Sequence, residues 1–129
     1  MANNIKSHDS PRSQRRQSEL EQEGAWAQLV AQYLCDLPQQ LDRIRSTAKV
    51  KNYSAIKKQA HRIKGTSGTY GLDAISKSVA QIERLADGQN PDAIVTTINK
   101  VMRLVKLETE RLNSRLVGST RSAERNANG

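Results

Sequence analysis

The sequence predicts an all-α fold: an antiparallel up-and-down four-helix bundle with an additional short N-terminal helix. Three observations carry that expectation. Apolar residues recur at spacings of three and four over most of the chain, and no stretch alternates apolar and polar residues over a strand's length. Aromatic residues make up 3%, with no Phe and a single Trp, so the core must rely on Leu, Ile, Val and Ala, which suits packed helices better than a sheet. The periodic segments are long and their links short and polar, which makes sequential helices antiparallel neighbours.

The first stripe is Trp26, Leu29, Val30, Tyr33, Leu34 and Leu37. Asp36 is placed to cap a new helix there, with Pro38 in its first turn, and a short second helix shows Leu41, Ile44 and Ala48. After a polar link over residues 49–52, a third helix puts Tyr53, Ile56, Ala60, Ile63 and Ser67 on one face, and Gly71 suits its C-terminal cap. A fourth carries Leu72, Ile75, Val79, Ile82 and Leu85 and ends near Gly88. Asn90-Pro91-Asp92 is the clearest helix start in the chain: a capping amide, a proline at the first helical position and a carboxylate at the positive end of the dipole. The last helix carries Ile94, Ile98, Val101, Val105, Leu112 and Leu116, with Leu104 and Leu107 off the main stripe.

A length of 129 residues suits one domain, and 36% apolar residues, against a usual value of about 45–50%, leaves part of the chain outside the core. Residues 1–20 read as a disordered polar leader, 21–117 as the bundle and 118–129 as a disordered polar tail. Met1 and these polar ends suggest a free-standing protein. The single cysteine, Cys35, excludes an intramolecular disulfide framework and a multi-thiolate metal site. Flanked by Tyr33, Leu34 and Leu37, it is expected to be a small buried residue. No apolar run approaches the roughly 18–20 residues of a membrane span, and the N-terminus lacks a signal peptide's apolar region. A soluble, cytoplasmic protein is expected.

The formal charge of +8 raises nucleic acid as a partner, but its distribution matters more. Residues 1–25 are neutral, with four basic and four acidic groups, whereas 26–117 carry fifteen basic and eight acidic. No acidic residue lies between Asp42 and Asp73, an interval with eight basic ones from Arg43 to Lys64.

The chemistry concentrates in His61-Arg62-Ile63-Lys64-Gly65-Thr66-Ser67-Gly68-Thr69-Tyr70-Gly71. With Ile56, Ala60, Ile63 and Ser67 turned inward, His61 sits one residue off the buried stripe. Lys57 precedes it by one turn, and Lys64, Gly65 and Gly68 follow on the same outward face. Each glycine within a helix costs about 1 kcal/mol relative to alanine, so two of them call for a reason. A bare surface beside the imidazole lets another protein's backbone, or a phosphoryl group in transfer, come close. Lys64 can set an ammonium beside an anion on the ring. An exposed nucleophile, an adjacent cation and a smooth floor suit phosphoryl transfer, in which positioning and charge neutralisation carry most of the catalysis. The two glycines are also compatible with a loop that ends the helix early, leaving His61 in its last turn.

These residues resemble the histidine-containing phosphotransfer (HPt) family, whose motif is H-x-[IL]-K-G followed by small residues and a further Gly. The match lies at His61, Ile63, Lys64, Gly65 and Gly71. Ala60 and the segment Ala80-Gln81-Ile82-Glu83 add to it, and the resemblance spans residues 26–117. It implies that His61 takes a phosphoryl group on Nε2, that Lys64 contacts the phosphate and that Gly65 gives a receiver domain room to dock. Gly68, Lys57 and Arg62 join Gly65 as expected docking residues. Some family members have Gln where Glu83 stands. A carboxylate facing the site would repel phosphate, so Glu83 is left out of the expected site.

The resemblance further implies a phosphoryl carrier with no ATP site, metal or cofactor of its own. The partners would be receiver domains of hybrid histidine kinases and response regulators, which supply the aspartate and Mg²⁺. A monomer that engages neither nucleic acid nor membrane is expected. The acid-free segment would steer an acidic receiver pocket toward His61, and docking calls for an apolar patch near the histidine, on the first helix or the exposed side of the second. The rival reading is a basic helical nucleic-acid or scaffold protein in which His61 is incidental. It gives no reason for Gly65 and Gly68 and offers few aromatics for base stacking. Gly65-Thr66-Ser67-Gly68 is not a P-loop, since the lysine precedes the first glycine and no strand leads in.

Overall fold

The computed structural model describes the backbone over residues 11–128 and side chains over residues 17–115. Within them the chain forms four helices and no strand: α1 (Pro11–Lys49), α2 (Tyr53–Thr69), α3 (Asp73–Asp87) and α4 (Pro91–Asn128). Each packs against two neighbours, α1 on α2 and α4, α3 on α2 and α4, so the bundle closes as a ring of antiparallel contacts. No helix among the described residues is long and apolar enough to cross a membrane.

The all-α bundle of four helices is as expected; an additional short N-terminal helix does not appear among the described residues. The break expected at Asp36–Pro38 does not occur: Pro38 lies inside the single helix α1. The reason is the continuity of the buried stripe. Val30, Leu34, Leu37, Leu41, Ile44 and Ala48 step by four and three straight through the proline, and each is under 10% exposed. Burying an aliphatic side chain contributes about 1.5–3 kcal/mol, so the six together outweigh the ~3 kcal/mol that proline costs a helix interior. Trp26 and Leu29, expected in the same stripe, are instead 47% and 53% exposed. Cys35 is exposed rather than buried, on the opposite side of α1 from Leu34 and Leu37. The helices run on through Pro11–Leu20 and to Asn128, stretches expected as polar tails; residues 1–10 and 129 lie outside the described residues.

The caps follow local chemistry. Asn52 Oδ1 accepts from the Ala55 amide and Asn90 Oδ1 from the Ala93 amide, both at 3.2 Å. At the end of α2, Gly71 adopts φ +72° while its amide donates to Gly68 O and that of Leu72 to Ser67 O, a Schellman closure. α1 and α3 close the same way through Lys51 (φ 57°) and Gln89 (φ 52°), not through Gly88, which is right-handed. The core is mostly aliphatic: Ile56, Ala60 and Ile63 of α2 meet Ile75, Val79 and Ile82 of α3 and Ile94, Ile98, Val101 and Val105 of α4, with Ser67, Ser78 and Thr97 buried among them.

Candidate functional site

α2 is helical to Thr69, so both inner glycines lie within it and His61 stands mid-helix with its side chain 71% exposed. The core pins the opposite face of the same helix, where Ile56, Ala60, Ile63 and Ser67 are buried. The ring is thus held at the surface by an anchored helix.

The decisive neighbour comes from α3. Glu83, whose side chain is only 15% exposed, sends Oε1 to within 3.3 Å of His61 Nδ1 and 3.0 Å of Lys64 Nζ. The residue left out of the expected site therefore lies at its centre. Its charge is met by the Lys64 ammonium and it is partly covered, which answers the objection that it would repel phosphate. A carboxylate only accepts, so the proton of a neutral imidazole goes to Nδ1, facing Glu83, and leaves the lone pair on Nε2. One turn on, Lys57 Nζ reaches Asp87 Oδ1 at 2.9 Å, and that hydrogen bond and charge raise the lysine's pKa above its usual range. The signal for Glu83 was present in the chain. Glu83 and Asp87 are one turn apart on the edge of α3, and antiparallel packing sets them against His61 and Lys57.

Of the other expected residues, Gly65 is exposed and open space surrounds the position of a Cβ there. Gly68 is exposed as well, and a Cβ there would sit in ordinary contact, 3.7 Å from Ser76 Oγ, so this glycine borders the seam with α3. Lys57 is tied into that same seam. Arg62 is exposed and makes no ion pair among the described residues.

Two hollows meet at His61 and Arg62. One, toward α3, is lined by Ser54, Lys57, Lys58 and Glu83 and is basic on balance. The other, between α1 and α2, is lined by Trp26, Leu29, Gly65, Thr66, Thr69 and Tyr70. Trp26 stacks on Tyr70 at 5.3 Å and Tyr70 on Tyr33 at 5.1 Å between ring centroids, which fixes the orientation of this apolar wall.

A family model described as Hpt domain matches residues 28–115, most of the chain, with α2 and α3 whole and parts of α1 and α4. The chain belongs to the Hpt domain family. No curated protein and no solved structure matches it. Hpt domains serve histidine phosphotransfer in phosphorelay signalling, interact with receiver domains, and act as carriers rather than as enzymes with kinase sites of their own. In this Hpt domain the matched span leaves out Trp26 at one end and takes in all the other residues of the site.

Proposed function

We propose that His61 is the phosphoacceptor and that the protein relays a phosphoryl group between the receiver aspartate of a hybrid histidine kinase and that of a response regulator. One observation carries this: His61 is exposed beside Lys64 with Nδ1 against the Glu83 carboxylate, which makes Nε2 the available nucleophile. The Nε2 lone pair attacks the phosphorus of the receiver's acyl phosphate. The P–N bond forms as the P–O bond breaks, and the electron pair returns to the aspartate carboxylate. Delivery is the reverse, with a receiver carboxylate attacking phosphorus and the pair returning to Nε2. Glu83 keeps the Nδ1 proton in place through both steps.

Lys64, shared with Glu83 at rest, neutralises charge on the transferring group. Mg²⁺ comes with the receiver in this reading, and the chain contributes no ligand to it. Gly65 leaves room for the receiver's backbone, Trp26 and Leu29 supply buried area in docking, and Arg62 with Lys58 attracts the acidic rim of the receiver pocket. The protein would act as a cytoplasmic monomer, where receivers are.

The test is transfer from a receiver carrying labelled phosphate. Wild-type protein takes the label in an acid-labile, base-stable form, and His61→Gln takes none. Equal labelling of the two would sink the proposal.

A further inference from the structure

The turn after His61 is the part of α2 with the least intrinsic helical preference. It holds Gly65, Thr66, Ser67, Gly68 and Thr69 in succession, and glycine and β-branched or hydroxyl residues all rank below alanine or leucine. Yet four consecutive carbonyls of this turn each accept a hydroxyl in addition to their place in the helix. Thr66 Oγ1 donates to Arg62 O at 3.1 Å and Thr69 Oγ1 to Gly65 O at 3.1 Å, both from within α2. Between them, Ile63 O accepts from Tyr33 of α1 at 3.3 Å and Lys64 O from Ser76 of α3 at 2.9 Å.

Among the described residues, the Tyr33 and Ser76 bonds are the only two from a side chain of one helix to the main chain of another. Both fall on the residues that follow His61 by two and three. Tyr33 is further fixed by Ser67 Oγ at 2.8 Å. The phenol has one proton; with that proton on Ile63 O, the fully buried Ser67 donates to the phenol oxygen. Gly68 lies beside this bond: Ser76 Oγ passes 3.7 Å from the position of a Cβ there, an ordinary contact distance.

We infer that Tyr33 and Ser76 form a two-sided brace on the glycine-bearing turn of α2, making them positioning residues for phosphoryl transfer at His61. The inference rests on the phosphotransfer reading. A helix softened by glycines to admit a partner leaves its nucleophile free to wander, and two bonds from neighbouring helices restore the register without adding bulk on the docking side. Misplacement by about 1 Å is enough to cost transfer rate substantially.

The experiment compares wild type, Ser76→Ala, Tyr33→Phe, their double variant and Ser76→Thr in the full chain. It reads amide hydrogen exchange over residues 66–69, the transfer rate at saturating receiver, and the receiver concentration at half-saturation. In the double variant, exchange of those amides rises roughly fivefold or more relative to the amides of α4. Its saturating rate falls by about the same factor while half-saturation is unchanged, and Ser76→Thr, which keeps the hydroxyl, behaves as wild type. Unaltered exchange over residues 66–69 overturns the brace. Faster exchange with an unaltered saturating rate overturns the positioning role. A wild-type protein that takes no label overturns the phosphotransfer reading and the positioning role with it, while exchange still reports on the brace.

Discussion

The two flanks of His61 are built on opposite principles. Toward α3 the contacts are ionic: Glu83 with the imidazole and Lys64, and Asp87 with Lys57. Toward α1 they are aromatic and apolar, with Trp26 and Leu29 roughly half exposed against Tyr70 and the bare Gly65. The exposed Lys57–Asp87 pair contributes little to stability, and an exposed tryptophan costs solubility, so folding does not explain these parts of the two flanks. The ionic flank suits the handling of a phosphoryl group, and the apolar flank suits the burial of a partner's surface. In the proposed function, chemistry and recognition are divided between the two sides of one helix.

Substitutions that damage one flank alone break or sharpen this division. The largest effect is expected on the ionic side. Lys64→Ala should lower the transfer rate at saturating receiver by about tenfold to a hundredfold, in the range for losing one charge-stabilising donor, without abolishing phosphorylation and with half-saturation nearly constant. Next comes the apolar side. Trp26→Ala should raise the half-saturating receiver concentration about tenfold, as for a docking anchor, and leave the saturating rate intact. If both variants shift the same parameter, the division is wrong.

Glu83 tests the ionic flank more finely. Glu83→Ala removes the acceptor for the Nδ1 proton and should slow saturated transfer about fivefold, a modest loss for a positioning contact. Glu83→Gln retains an oxygen able to accept from Nδ1–H and should recover most of the rate. Equal loss in both would mean that the negative charge, not the hydrogen bond, is what counts.

The smallest effect concerns pH. Burial raises the Tyr33 phenol above its ordinary 10.0, partly offset by the Ser67 hydroxyl. The folded state therefore holds that proton more tightly than the unfolded chain. The stability this supplies is fully present below pH 10 and is lost as pH rises through the folded value. Thermal melts between pH 9 and pH 11 should decline less steeply for Tyr33→Phe than for wild type; parallel declines would remove Tyr33 from the alkaline transition.

Much of this was legible in the chain. The stripe Ile56, Ala60, Ile63 and Ser67 announced which face of α2 is buried, and from it followed the exposure of His61 and Gly65. Where the reading failed, local signals competed with long-range ones. Asp36-Pro38 has the local signature of a helix start, but burial of six aliphatic side chains on either side keeps α1 whole. Trp26 and Leu29 have core composition and helical spacing, but lie where α1 overhangs the groove with α2.

The sequence by itself determined the last three helices, the caps at Gly71 and Asn90 and the candidate nucleophile, because periodicity, capping and a compact motif are properties of neighbouring residues. Only the tertiary structure decided what surrounds that nucleophile. Glu83 follows His61 by 22 positions, and Tyr33 precedes Ile63 by 30. Such distances are closed by the register of antiparallel helices, which is set by the summed packing of the whole core and is written in no single segment.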